Sequence, residues 1–368
     1  MPPIHTTAPS SPSPISDPPD GDTECGDFVL VDVEPTVDDF VWVDDGPTPR
    51  PLAFRPPEDL TPEQREQLGE QFRAQALDHV RQDCERTVEA DWRAASRRLR
   101  GRAGGAAQAE ALLDRVVSRL QASRLTINFR AERLLGSEWF KRGEYLNCFA
   151  LGESPGQPPG YSVGRAQMEE HALGMRRALN GSPLRQYGRF ESDSDATRRQ
   201  RWFQPSSRPL YAALDFLDGP RGGARHYGGS FLVLADHMKD IATFTPVDSF
   251  ATRFLRDAVT PDKVCTSKHF PRLVAHAQED RIGYNCLKHL CRAADGLPGP
   301  IPAGYGSGGA NNYIEAQIYG RIRFDRDVKE IHVSRAELDS LPPARRASLI
   351  ETLKEANQTM GRRFYLID

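Results

Sequence analysis

The sequence predicts an α+β fold built on a mixed or antiparallel sheet, preceded by a helical region and a disordered tail. Three observations predict it. Two long helical runs open the folded part of the chain, and from Leu125 the hydrophobic period changes to that of short strands. Beyond that point strands and helices do not alternate as βα units, which argues against a doubly wound sheet. No GxGxxG, P-loop, GxSxG or HExxH is present, so the common nucleotide, hydrolase and metalloprotease frames have no support.

Residues 1–57 read as an acidic, Ser/Pro-rich leader. Of the 29 prolines, 13 lie in the first 60 residues, and "MPPIHTTAPSSPSPISDPPDGD" has almost no apolar content. Such a segment cannot bury enough surface to offset its ordering entropy. It carries an internal repeat, "DFVLVD" (Asp27–Asp32) and "DFVWVD" (Asp39–Asp44). The repeat fits short edge strands, or linear motifs that add a strand to a partner such as a secretion chaperone or a ubiquitin-like modifier.

Residues 58–123 read as a helical region. Thr61, Pro62 and Gln64 form a capping-box start. Leu68, Phe72, Ala76, Val80, Cys84, Val88 and Trp92 then recur every four residues as one apolar stripe. "GRAGG" breaks the helix, and "AAQAEALLDRVVSRLQAS" starts a second.

Residues 124–368 read as the α+β body. "LTINF" is a strand followed by "RAERLL", and "RAQMEEHALGMRRALNG" is helix-rich. "RPLYAALDFL", "HYGGSFLVLAD" and "DIATFTPVDSF" have strand and turn character, and helical text returns at Pro271–Ala294. The loop-then-strand "GGANNYIEAQIYGRIRF" follows. Ser334 and Glu337 look like a second capping box leading into "PPARRASLIETLKEANQ", and "RRFYLI" closes the chain as a strand.

Composition narrows the function classes. Residues 1–50 hold 11 acids and one base, whereas the rest hold 47 bases and 40 acids, so a net charge of −3 hides an acidic tail on a mildly basic body. A charge of +7 over some 318 residues is too dilute to argue for nucleic acid. No run of 18 apolar residues exists to span a membrane. Six scattered cysteines form no disulfide framework and point to a reducing place of action. Cys286 and Cys291 flank His289, but at no common zinc spacing, so a helix with buried thiols is expected and no metal is implied. The N-terminus lacks a Sec-type n-region and h-region and is similar in composition to a type III export leader.

Three points in chain order can carry chemistry. Arg130 or Arg133 stands just after the first core strand, Ser230 follows a glycine pair before a strand, and Glu315 ends a flexible loop and opens a strand. That order is the one used by arginine–serine–glutamate ADP-ribosyltransferases, which implies an ADP-ribosyltransferase-like core and NAD as substrate. Cleaving nicotinamide from NAD develops positive charge on the ribose, as glycoside hydrolysis does. A fixed carboxylate stabilises that charge and can take a proton from an incoming hydroxyl. An arginine grips the pyrophosphate with its planar fork. A serine hydroxyl fixes the carboxylate. Tyr211 or Tyr227 can stack on the nicotinamide, and Gln317 either orients substrate or is the outward residue of a half-buried strand.

"RPLYAALDF", "GGSFLVL", "IATFTPVDSF" and "NNYIEAQIYGRIRFDRDVKEI" resemble the CteC-like bacterial type III effectors, over roughly residues 125–333. The resemblance implies NAD-dependent transfer of ADP-ribose to a threonine of host ubiquitin, after secretion into the host cytosol. It implies Glu315 as the catalytic glutamate, Arg133 in preference to Arg130 as the NAD-gripping arginine, and Ser230 as the central serine. Thr243–Ser249, with Thr245, competes for that last place. The chain departs from the Glu-x-Glu or Gln-x-Glu pattern, since Tyr313 precedes Glu315 and Gln317 follows it. The acceptor chemistry should therefore differ from arginine modification. An NAD glycohydrolase and a non-catalytic host-binding effector stand as alternatives.

Overall fold

The computed structural model describes residues 61–147, 165, 169, 173, 207–249, 259–277, 286–297, 313–360 and 363–368. All lie in the second of the chain's two units, Pro51–Asp368. The leader expected over 1–57, its two repeats and the "GGANN" loop fall outside them.

Helix α1 (Pro62–Ala103) starts as its sequence dictates. The Thr61 hydroxyl accepts from the Gln64 N–H at 3.3 Å, and the Gln64 amide oxygen accepts from the Thr61 N–H at 2.9 Å. It stops at Gly104, whose φ of 80° suits a residue without a side chain. Of the four-residue stripe, Phe72, Ala76, Val80 and Cys84 are buried and Trp92 packs half-buried on the core. Each four-residue step overshoots a turn by about 40°. Val88 therefore faces solvent at 47% exposure, and the packed face continues through Ala95 and Leu99. Helix α2 (Ala106–Ala122) buries Leu112, Leu113, Val116 and Leu120. The helices expected as a region over 58–123 share one apolar core with the sheet.

Eight strands form that sheet: β1 (Arg124–Phe129), β3 (Leu210–Asp215), β4 (Ser230–Leu234), β5 (Ala242–Thr245), β6 (Cys265–Thr266), β7 (Ile314–Ile318), β9 (Val328–Ser334) and β10 (Arg363–Ile367). Their order is β10-β9-β4-β1-β3-β7-β5-β6. Every pairing is antiparallel except β9 with β10, so the fold is α+β with a mixed sheet. The short pair β2 (Glu144–Tyr145) and β8 (Ile322–Arg323) stands apart.

The period-2 alternation of the strands sorts the two faces. Leu125 and Ile127 on β1, Ala212 and Leu214 on β3, and Ile314, Ala316 and Ile318 on β7 enter the main core. Helices α1, α2, α5 (Phe270–His276) and α6 (Cys286–Ala294) contribute to the same core. The cysteines of α6 are buried in it. The residues between them, Tyr211, Ala213, Glu315, Gln317, Thr243 and Thr245, fall on the other face.

The second capping signal serves a shorter element than its sequence suggested. Ser334 caps α7 (Arg335–Asp339), and α8 (Pro343–Met360) is a separate helix. The Glu337 carboxylate does not return to the cap. It accepts instead from the N–H groups of Ala131 and Gly229, at 2.9 and 2.6 Å, and from the Ser230 hydroxyl at 2.7 Å. Among the described residues no helix is long and apolar enough to cross a membrane.

Candidate functional site

Strand register builds the site. Glu315 on β7 lies opposite Ala213 on β3 and Thr245 on β5, and Gln317 lies opposite Tyr211 and Thr243. Cross-strand partners share a face, so these side chains converge on one patch. Ala213 leaves room there for Tyr313, which packs on Ala213 and Ala224.

Glu315 is 1% exposed and its oxygens are crowded with donors. Its Oε1 accepts from the Ser249 hydroxyl, from the Ser249 N–H at 3.3 Å and from Gln317 Nε2 at 2.8 Å. Its Oε2 accepts from the Tyr313 hydroxyl at 3.2 Å. Gln317 is held in turn: its Nε2 donates to Thr245 Oγ1 at 3.1 Å, and its Oε1 accepts from Thr243 Oγ1 at 2.8 Å.

A guanidinium completes the network. Arg165 Nη2 is 3.7 Å from Glu315 Oε2, and Nη1 is 3.9 Å from Asp248 Oδ1. Arg165 also pairs with Glu169, one helical turn on, at 3.8 Å, and lies over the Tyr211 ring at 3.5 Å. Glu169 accepts from the Tyr211 hydroxyl at 2.5 Å and from the buried Arg208 at the mouth of β3. Two arginines thus stand beside three acidic side chains, out of water.

The electrostatic result is a carboxyl that resists ionising. Burial, and after it the Asp248 charge, pushes Glu315 up to about 8, against the pull of Arg165 and Ser249. Burial also pushes the Tyr211 and Tyr313 phenols up.

The rim is a 3₁₀ turn, Arg225–Tyr227, between β3 and β4. Polar residues of β1 hold its loop. Asn128 Nδ2 donates to the carbonyls of Arg221 and Gly228, and Asn128 Oδ1 accepts from the Ala224 N–H. Thr126 Oγ1 accepts from the Gly223 N–H at 2.9 Å. Tyr227, 45% exposed, donates to Asp248 Oδ2 at 3.3 Å.

Of the residues singled out from the sequence, the structure brings together Glu315, Gln317, Thr245, Tyr211 and Tyr227. It does not bring Ser230, Arg130 or Arg133 to them. Ser230 opens β4, which is separated from β7 by β1 and β3. At about 4.8 Å per strand that is roughly 14 Å across the sheet. Its hydroxyl is spent on Glu337 and on the Ser334 N–H. Arg130 and Arg133 are exposed around helix α3 (Ala131–Leu135). In the competing segment, Ser249 is the serine that meets Glu315.

Sequence reasoning missed Arg165, Glu169, Arg208 and Asp248. The signals were an acid–base pair at i,i+4 in "RAQME", a basic residue opening the "RPLYAAL" strand, and an acid beside Ser249 in "TPVDS". Each is too common alone to mark a site.

A family model described as "Protein of unknown function (DUF3626)" matches residues 139–340, more than half of the chain. The chain belongs to the DUF3626 family. The DUF3626 span takes in every residue of the Glu315 network and leaves out Arg130 and Arg133. It also begins after β1, the strand that holds the rim loop. No curated protein matches the chain.

Proposed function

We propose that this protein cleaves the N-glycosidic bond of NAD at Glu315 and transfers ADP-ribose to a hydroxyl acceptor, a threonine of host ubiquitin. One observation carries the reading of the chemistry: a buried carboxyl fixed by Ser249, Gln317 and Tyr313, with an arginine across it. Ionised, such a group stabilises positive charge that develops on a ribose carbon. The donor set fits NAD, because Arg165 and Arg208 are buried guanidiniums suited to a pyrophosphate. Tyr211 and Tyr227 offer aromatic faces beside them. In chain order, Arg165 or Arg208, then Ser249, then Glu315 keep the arginine–serine–glutamate sequence. The ubiquitin threonine, the type III export leader and delivery to the host cytosol rest on the resemblance to CteC-like effectors.

A second reading, NAD hydrolysis, draws on the depth of the carboxyl. At 1% exposure Glu315 is more easily reached by water than by a protein side chain.

Incubating the protein with NAD and ubiquitin, then weighing the ubiquitin, tests both. The expected result is a mass gain of one ADP-ribose, lost in Glu315→Ala, with a rate that climbs as pH rises through about 8, where Glu315 gives up its proton. Nicotinamide release with unmodified ubiquitin would favour the hydrolase. Absence of any NAD turnover would sink both.

A further inference from the structure

One buried atom beside the Glu315 network has no hydrogen-bond partner among the described residues: Nε2 of His226. Leaving such an atom unpaired costs about 1–3 kcal/mol, so its presence needs a reason. The imidazole is packed against Tyr227, with ring centroids 3.8 Å apart, and against Tyr313, at 5.4 Å. Tyr227 donates to Asp248 and Tyr313 to Glu315. His226 therefore lies over the two phenols that touch the two facing carboxyl groups of the site. It is also nearer solvent than Glu315.

Glu315 itself is badly placed to receive a proton from an arriving side chain. Its Oε1 already accepts from Ser249 and Gln317, its Oε2 accepts from Tyr313 beside Arg165, and both are out of water. Nε2 of His226, also buried, accepts from no donor among the described residues. Burial holds its basicity below the ordinary value, partly offset by the Asp248 charge, so the ring is neutral at neutral pH. The charged and titratable groups around it are Asp248, Tyr227 and Tyr313. Two titratable groups whose surroundings push them in opposite directions are a recurrent sign of divided acid–base labour.

We propose that His226 is the general base of this site, its Nε2 taking the proton of the incoming hydroxyl while Glu315 stays committed to the ribose. The inference rests on the NAD reading above. In the step it describes, the acceptor oxygen forms the new bond to the ribose carbon. The electron pair of the N-glycosidic bond leaves on the nicotinamide nitrogen and neutralises that ring. The hydroxyl proton passes to Nε2 and from there to solvent. The role requires the tautomer with its proton on Nδ1.

Two measurements test it. In the full-length, ligand-free protein, imidazole ¹⁵N shifts should show His226 neutral at pH 7 and protonated on Nδ1. A charged ring at pH 7, or a proton on Nε2, overturns the proposal without any turnover assay. In the transfer assay, His226→Gln should lose on the order of 10²-fold in kcat with little change in KM for NAD. The wild-type log rate should climb with slope one below about 8, from Glu315, and with slope two at pH values below the His226 pKa. The variant should keep slope one throughout. His226→Ala should regain part of the lost rate from added imidazole, which a purely structural loss would not allow. Full-rate transfer by His226→Gln with an unchanged pH profile overturns this inference and leaves the NAD reading standing. A wild-type protein that turns over no NAD overturns that reading and this inference together.

Discussion

Ser249, four residues past β5, and Ser230, which opens β4, are both buried serines, and their partners decide what each does. Ser249 donates to the carboxyl of Glu315. Ser230 donates to Glu337 and accepts from the Ser334 N–H, tying β4 to β9 and α7. Ser249→Ala should therefore lower turnover on the order of 10²-fold, as loss of one donor to a fixed anion does. Ser230→Ala should leave turnover in place and cost about 1–3 kcal/mol, because two buried partners lose their bond. Paired urea titrations and NAD turnover assays separate the two, and the reverse pattern would return the central serine to Ser230. Glu315 was legible in the sequence because an acid where a polar loop becomes a strand is an unusual placement. Ser249 was not, because "GGS" and "TPVDS" are equally good hydroxyl-bearing strand ends until register says which one lies beside β7.

The elements that shape the site are short and depend on close backbone approach. The 3₁₀ turn that carries His226 and Tyr227 ends at Gly228, whose φ is 152°. A Cβ there would stand 2.0 Å from the Phe129 carbonyl oxygen. Gly228→Ala must therefore push the turn away from β1 and break the Asn128 bond to the Gly228 carbonyl. The expected cost is about 1–3 kcal/mol, with turnover falling further than stability because the rim moves. Thermal melting and NAD turnover on one preparation check this, and unchanged values for both would contradict it. Helix α1 teaches the converse. Its cap was written within four residues, Thr61–Gln64, but its stripe, counted at four, drifted off the packed face by Val88.

At the scale of the molecule, one buried cation ties α1 to the body. Arg272 on α5 donates to Asp91 at 2.8 Å, to the Asp83 carbonyl at 3.0 Å, to the Val264 carbonyl at 3.2 Å, and to Thr87. Arg272→Met should cost about 3–5 kcal/mol, since it removes the buried cation that is paired with Asp91. Chemical denaturation measures it, and a loss under 1 kcal/mol would show that the docking of α1 does not depend on this cation. By itself the sequence determined the α+β class, the limits of α1 and α2, most core strands, and Glu315 with Gln317 and Tyr211 as residues to watch. These follow from local periodicity, caps and turn residues, which a short window of chain can express. Only the tertiary structure decided that β10 runs parallel to β9, that Ser249 and not Ser230 meets Glu315, and that Arg165 and not Arg133 faces it. Those outcomes depend on which strands become neighbours and in what register. The pairing joins residues 66 positions apart in the chain for Ser249 and Glu315, so no local pattern can encode it.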